Sequence, residues 1–129
     1  IGSCDFSIQG GSVDAAFISI TNFSIVPNNG NLNGEEYNIW AGDNVTKFGE
    51  TIAQSEGYIT STNANVNADG IYYTDMGEAT YLSAFGDSGG PVYLTDSKKV
   101  IGIHKGSTAF TSIFVKVDNI ASKLNAHFN

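Results

Sequence analysis

Between two apolar runs, Tyr81-Leu82-Ser83-Ala84-Phe85 and Val92-Tyr93-Leu94, the chain reads Gly86-Asp87-Ser88-Gly89-Gly90-Pro91. Three glycines in six positions commit the backbone to a tight turn, because glycine reaches positive φ at no steric cost. Such a turn points successive backbone N–H groups into one concavity. Ser88 stands at its centre. A serine hydroxyl is a weak nucleophile until a base takes its proton. Its attack on a carbonyl also needs N–H donors aimed at the oxygen that becomes negative. Ser88 is the candidate nucleophile, and the N–H groups of Gly86 and Ser88 are the candidate oxyanion hole. Gly89 and Gly90 let the chain leave close to a substrate, Pro91 fixes the exit into a strand, and Asp87 is expected to turn inward and pin the loop. The competing reading is a Gly-Asp-Ser turn in a surface loop.

Two further stretches stand in register with this loop. Upstream, Val13-Asp14-Ala15-Ala16-Phe17-Ile18-Ser19-Ile20-Thr21-Asn22 reads as a strand opened by an aspartate. Ala16, Ile18 and Ile20 fall on one side of it and Phe17 and Ser19 on the other. Downstream, Val100-Ile101-Gly102-Ile103-His104-Lys105-Gly106-Ser107 lies one short hairpin beyond Ser88, with Asp96-Ser97-Lys98-Lys99 as the turn. A lone histidine in a strand is either a satisfied structural residue or a polar contact for a ligand.

Taken together, the six-residue loop, the aspartate-led strand and the Gly102-Ile103-His104 strand resemble the chymotrypsin-like (trypsin-fold) serine proteases. The likeness is to the streptogrisin and α-lytic type and to the glutamyl endopeptidases. The resemblance implies an all-β double β-barrel. Residues 1–45 would be the C-terminal part of the first barrel, and residues 46–129 the complete second barrel with a C-terminal helix. It implies acyl-enzyme hydrolysis of peptide bonds, with Asp14 and Ser88 catalytic and no cofactor. His104 and Ser107 would contact an acidic P1 side chain, and Phe85 and Leu82 would lie near the pocket base. In that family the aspartate orients a histidine that shuttles the proton.

That histidine precedes the aspartate in the family, and the thirteen residues before Asp14 contain none. His104 follows the nucleophile on the strand of the pocket wall, and His127 lies in the C-terminal tail, where a surface position is expected. The catalytic histidine is therefore expected on a separate N-terminal chain of the same precursor, an arrangement that also covers the unpaired strand edges of a partial barrel. An incomplete product and a catalytically inactive, lectin-like binding module on the same scaffold are the alternatives. The single cysteine, Cys4, suggests either a free thiol or a bond to another chain. The resemblance points to the second, a disulfide to the histidine-bearing chain.

A net charge of −7 opposes nucleic-acid and anionic-membrane partners, which need clustered Lys and Arg. An acidic substrate then calls for local positive charge from His104 and Lys105. No apolar run reaches the length of a membrane span, and no metal-ligand cluster is visible. The sequons at Asn22 and Asn44 fit a secreted glycoprotein. Turn signals at Pro27-Asn28-Asn29-Gly30, Asn33-Gly34, Gly42-Asp43-Asn44, Asn63 to Gly70 and the Ser88 loop separate short runs rich in Ile, Val, Tyr, Phe and Thr. That is an all-β pattern. Trp40 and the pair Tyr72-Tyr73 are read as core and sheet residues. Val117, Ile120, Ala121, Leu124 and Phe128 recur at helical spacing, with Asp118 or Asn119 as the cap.

Overall fold

The computed structural model describes residues 2–20 and 32–126, and it is built of strands with one short helix. Asn22, the Pro27–Gly30 turn, His127 and Phe128 lie outside the described residues. Strands β1 (Gly2–Gly10) and β2 (Val13–Ile20) form a two-stranded antiparallel sheet. The other six close into a barrel: β3 (Asn44–Phe48), β4 (Gln54–Ala68), β5 (Ile71–Ala79), β6 (Pro91–Leu94), β7 (Val100–Ser107) and β8 (Ser112–Lys116), in the order β3-β4-β5-β8-β7-β6. Closure leaves no free sheet edge.

The barrel interior is filled from alternate positions of its strands. Val45, Ile59, Ala79, Tyr81, Val92, Ile101 and Phe114 make one buried cluster. Tyr73, Met76, Ile113, Val115, Ile120 and Leu124 make a second, against which Ile8 and Ala15 of the two-stranded sheet pack. That sheet also reaches the barrel through its turn. Gly11 donates to the Tyr72 carbonyl at 3.3 Å, and its own carbonyl accepts from Thr74 N–H at 2.7 Å.

Several local expectations change on folding. The 63–68 stretch, read as part of a turn, is the second half of the long strand β4. The reversal itself is confined to Asp69-Gly70, whose φ values of 53° and 78° suit a two-residue hairpin turn. Trp40 is not core: it is 71% exposed, in the segment leading to β3. Tyr72 and Tyr73 alternate as sheet residues, the first exposed and the second sealed. The helix α1 (Val117–Leu124) buries Val117, Ile120, Ala121 and Leu124 as their spacing predicts, but its N-cap residue is Lys116 and makes no side-chain cap bond. Asn119 instead reaches across to Asp75, donating to its carboxylate at 3.1 Å.

On β2 only the inner end is buried, fully at Val13 and partly at Ala15, and the expected Ala16–Ile18 face is not. Ala16 is exposed, Ile18 is 56% exposed and Phe17 41%. A strand in a two-stranded sheet has no second layer over its outer length, so alternation there separates two open faces. Phe17 instead stacks on Phe6 at 5.9 Å.

Candidate active site

The Ser88 turn is held from beneath by one carboxylate. Asp87 is buried and accepts from the Lys47 ammonium at 2.7 Å, from the N–H groups of Thr51 and Ile52 at 2.7 and 3.0 Å, and from Ala84 N–H at 3.0 Å. The Lys47 bond, aided by the backbone donors against the cost of burial, holds the Asp87 carboxyl far below the usual carboxylate range. Lys47 itself comes inward from β3 with a side chain that is 0% exposed, and it also donates to the Ile52 carbonyl at 2.8 Å. Lysine is almost never fully buried without such a partner. The inward turn of Asp87 was legible in the sequence; its cation, forty residues upstream, was not.

With the loop pinned, its glycines take up the strain. Gly86 has φ +103° and Gly89 φ +92°, conformations that a side chain rarely adopts. A side chain at Gly90 would strike the Phe48 carbonyl oxygen at 2.0 Å. Asp87 N–H donates to Ala84, Gly89 N–H to His104 and Gly90 N–H to Asp87. Among the described residues, the N–H groups of Gly86 and Ser88 have no protein acceptor. They are the two N–H groups of the turn that no protein oxygen occupies.

Ser88 Oγ donates to the backbone carbonyl of Lys105 at 2.7 Å. The ammonium of the same lysine pairs with the Asp14 carboxylate and lies 4.1 Å over the Tyr73 ring. Asp14 and Ser88, seventy-four residues apart in sequence, thus meet at one residue of β7. Burial alone would lower the Lys105 pKa, but Asp14 and Tyr73 outweigh it and hold the ammonium protonated, so Lys105 is no base.

A cavity of about 470 Å³ opens beside Ser88, lined by Ser83, Ala84, Phe85, Gly86, Ser88, His104, Gly106 and Ser107. His104 is only 2% exposed and its Nδ1 lies 2.9 Å from the Tyr81 hydroxyl. Burial first, and the charge of Lys47 second, pull its pKa down to about 4 against the opposing field of Asp87. The expectation of a positive pocket therefore fails on both counts: His104 is neutral and the Lys105 ammonium is turned to Asp14. Phe85 lies at the rim, with its side chain wholly in solvent, and not at the base. Leu82 does not line the cavity at all. It is 70% exposed because the irregular 80–84 segment alternates and turns Tyr81 inward, and its carbonyl accepts from Ser55. Ser83 and Gly106, which sequence reasoning passed over, stand in the wall instead.

Cys4 is exposed on β1 and carries no disulfide. Asn44 is exposed at the start of β3, while its sequon partner Thr46 is buried against Thr95 at 2.9 Å. Among the described residues no cluster could hold a metal ion, and no helix is long and apolar enough to cross a membrane.

Comparison with known proteins agrees with this fold. Glutamyl endopeptidase 2 of Streptomyces griseus is 39% identical over 72 residues, a match to 55% of this chain and 37% of that protein. The chain thus matches little more than a third of that relative's length. Nocardiopsis protease superposes with a TM-score of 0.81 at 20% identity, over 96% of this chain and 71% of that one. A glutamic acid specific serine protease described as using a histidine triad in substrate binding superposes with a TM-score of 0.80 at 24% identity, over 99% and 73% of the two chains. The architecture is thus the chymotrypsin-like β-barrel. The trypsin family model matches residues 19–124, a span that holds the whole closed barrel and the Ser88 turn, and the protein is a member of the trypsin family.

Proposed function

We propose that this chain carries the nucleophile and aspartate of a serine endopeptidase whose catalytic histidine comes from a separate N-terminal chain of the same precursor. One observation carries the reading. A pinned glycine turn leaves two N–H donors free beside Ser88, and Asp14 reaches the same residue, Lys105, that receives the Ser88 hydroxyl. Lys47, Lys105 and His104 do not serve as that base: the two lysines are committed to carboxylates, and Ser88 Oγ bonds the Lys105 carbonyl and not the His104 ring, whose Nδ1 lies against Tyr81. The exposed faces of β1–β2, with Phe6, Phe17, Ile18 and Cys4, suit coverage by that companion, linked by a disulfide at Cys4.

In the assembled enzyme the histidine takes the Ser88 proton, Asp14 orients the imidazole, Ser88 Oγ attacks the peptide carbonyl, and the N–H groups of Gly86 and Ser88 receive the oxyanion. His104 and Ser107 read a P1 side chain that ends in an acceptor oxygen, Glu before Asp and Gln. The glutamyl-endopeptidase relatives support that choice. Secretion and glycosylation at Asn22 and Asn44 belong to the same reading.

A second reading has its own observation. With Lys105 on Asp14 and the Ser88 hydroxyl on a carbonyl, the site is at rest, as an inactive binding module would be. A fluorophosphonate probe separates the two. Ser88 is expected to be labelled when a histidine-bearing chain co-purifies and not in the isolated chain. Absence of labelling in the presence of such a chain overturns the peptidase reading. A peptide library cleaved after Arg or after large apolar residues overturns the assignment of His104.

A further inference from the structure

The cavity wall carries a hydrogen-bond polarity that goes beyond the presence of a histidine. Tyr81 is 2% exposed and its hydroxyl has a single partner among the described residues, Nδ1 of His104 at 2.9 Å. Burial raises the phenol well above its ordinary range, so the proton stays on oxygen. A buried hydroxyl left without an acceptor is costly, and the acceptor in reach is Nδ1. Nδ1 is therefore unprotonated, and the neutral ring carries its hydrogen on Nε2. Among the described residues no buried polar side-chain atom lacks a partner, and Nε2 has none there, so Nε2 is open to the cavity that His104 lines.

The second polar group is Ser83. Ser112 Oγ donates to the Tyr81 carbonyl at 2.8 Å and lies 3.0 Å from Ser83 Oγ. A hydroxyl has one hydrogen, and Ser112 has spent its own. Ser83 must then donate to Ser112, which leaves the Ser83 lone pairs as acceptors in the cavity wall.

We propose that Tyr81 and Ser112 set this cavity as one donor, His104 Nε2–H, and one acceptor, Ser83 Oγ, a pair that matches the carboxamide of glutamine, so that a glutamate side chain is taken only together with a proton. This rests on the reading of the cavity as the P1 site. A carboxylate has no hydrogen for Ser83 and gains from a cationic imidazole. Its binding draws one proton from solvent onto Nδ1, and the Tyr81 hydroxyl must then turn to accept at the cost of its own donated hydrogen bond. The charged groups around the ring do not supply that cation. Lys47 on β3 and Asp87 of the nucleophile turn neutralise one another, and Lys105, the next residue on β7, is held by Asp14. The chain's two histidines are also too few for a histidine triad of its own.

Two measurements test this. The first is nitrogen-15 NMR of the histidine-labelled chain. The expected result is a neutral His104 with hydrogen on Nε2 from pH 8 to pH 5; an Nδ1–H tautomer, or titration above pH 6 without ligand, overturns the proposal. It needs no turnover, so it stands even if the peptidase reading fails. The second uses the enzyme assembled with its histidine-bearing chain and paired substrates that differ only in Glu or Gln at P1. The Glu-to-Gln ratio of kcat/KM should fall as pH rises, approaching about tenfold per unit for one coupled proton. A ratio that does not change between pH 5.5 and 8.5 overturns the proposal. Tyr81→Phe should abolish the single tautomer and raise KM for the Gln substrate about tenfold, with a far smaller change in kcat. A Tyr81→Phe chain that keeps the Nε2–H tautomer pure removes Tyr81 from the role. If neither substrate is cleaved, peptides ending in Glu or Gln replace them. The Gln peptide should shift Nε2 without protonating the ring, the Glu peptide should protonate it, and identical responses overturn the proposal.

Discussion

The β1–β2 sheet and the closed barrel carry one half of the candidate chemistry each, yet they are built on different terms. The barrel holds Ser88 over a buried ion pair and a core whose members Val45, Val92 and Phe114 are 0% exposed. The sheet holds Asp14 on a ribbon that is open over its outer length and joined to the barrel by the Gly11 backbone bonds, by Val13, Ile8 and Ala15, and by Asp14 itself on Lys105. A two-stranded ribbon is marginal alone in water. The candidate nucleophile is thus positioned by packing, and the candidate aspartate by a few identifiable contacts. Disturbing each side separately should give effects of very different size.

The largest effect is expected inside the barrel, at Lys47. Lys47→Met removes a cation and leaves Asp87 charged and buried, which costs far more than the pair was worth. The melting temperature should fall by roughly 15 °C, and probe labelling of Ser88 in the proposed two-chain assembly should be lost, because the turn loses its anchor. The pH dependence has a definite sign. The Asp87 carboxyl is depressed in the folded protein, so its contribution is fully present above the unfolded value near pH 4 and is lost as pH falls below it toward the folded value. An acid melting series on wild type and Lys47→Met checks this. The wild type should lose stability below about pH 4, and the variant should lose less.

Next comes a matched pair of aromatic truncations. Phe114→Ala empties a fully buried position and should cost about 3–5 kcal/mol in denaturant unfolding. Phe17→Ala removes a ring that is 41% exposed and stacked only on Phe6, and should cost about 1 kcal/mol. Equal costs would mean that the ribbon is as well packed as the barrel.

These differences also explain what was legible in the sequence. The Ser88 turn could be read because glycines, a proline and an inward aspartate specify it within six residues. The helix could be read because Val117, Ile120, Ala121 and Leu124 share one face of eight residues. Partners fixed by barrel closure could not be read. Lys47 meets Asp87, Tyr81 meets His104 and Lys105 meets Asp14 only after strands distant in sequence are brought side by side. Nothing local marks Lys47 as buried among six Lys and Arg residues. Trp40 and Leu82 depart from expectation for the converse reason: apolarity gives a residue a tendency to be buried, and the backbone path around it decides the outcome.

A smaller effect is expected at the turn that docks the ribbon. Gly11 has φ +61°, and a Cβ added there meets nothing within 4 Å. The cost of Gly11→Ala is therefore purely conformational, about 1–2 kcal/mol. It should appear as weakened protection of the β1 and β2 amides in hydrogen exchange, with the barrel amides of β3 and β6 unchanged.

The smallest effect in global stability is at Lys105, and it is also the most informative about the site. The Lys105 and Asp14 side chains are 16% and 31% exposed, so solvent screens the pair and Lys105→Met should cost less than about 1 kcal/mol. The Ser88 hydroxyl is unaffected in principle, since it bonds to the backbone carbonyl of that residue. What changes is the restraint on Asp14. Lys105→Met should speed exchange at the Asp14 end of β2 severalfold while the melting temperature of the barrel moves by only a few degrees. If the exchange of β2 is unmoved, the ribbon is held by Gly11 and by the packing of Ile8, Val13 and Ala15, and Lys105 is an occupant of the Asp14 carboxylate and not its tether. A histidine entering beside Asp14 would then displace it at little cost.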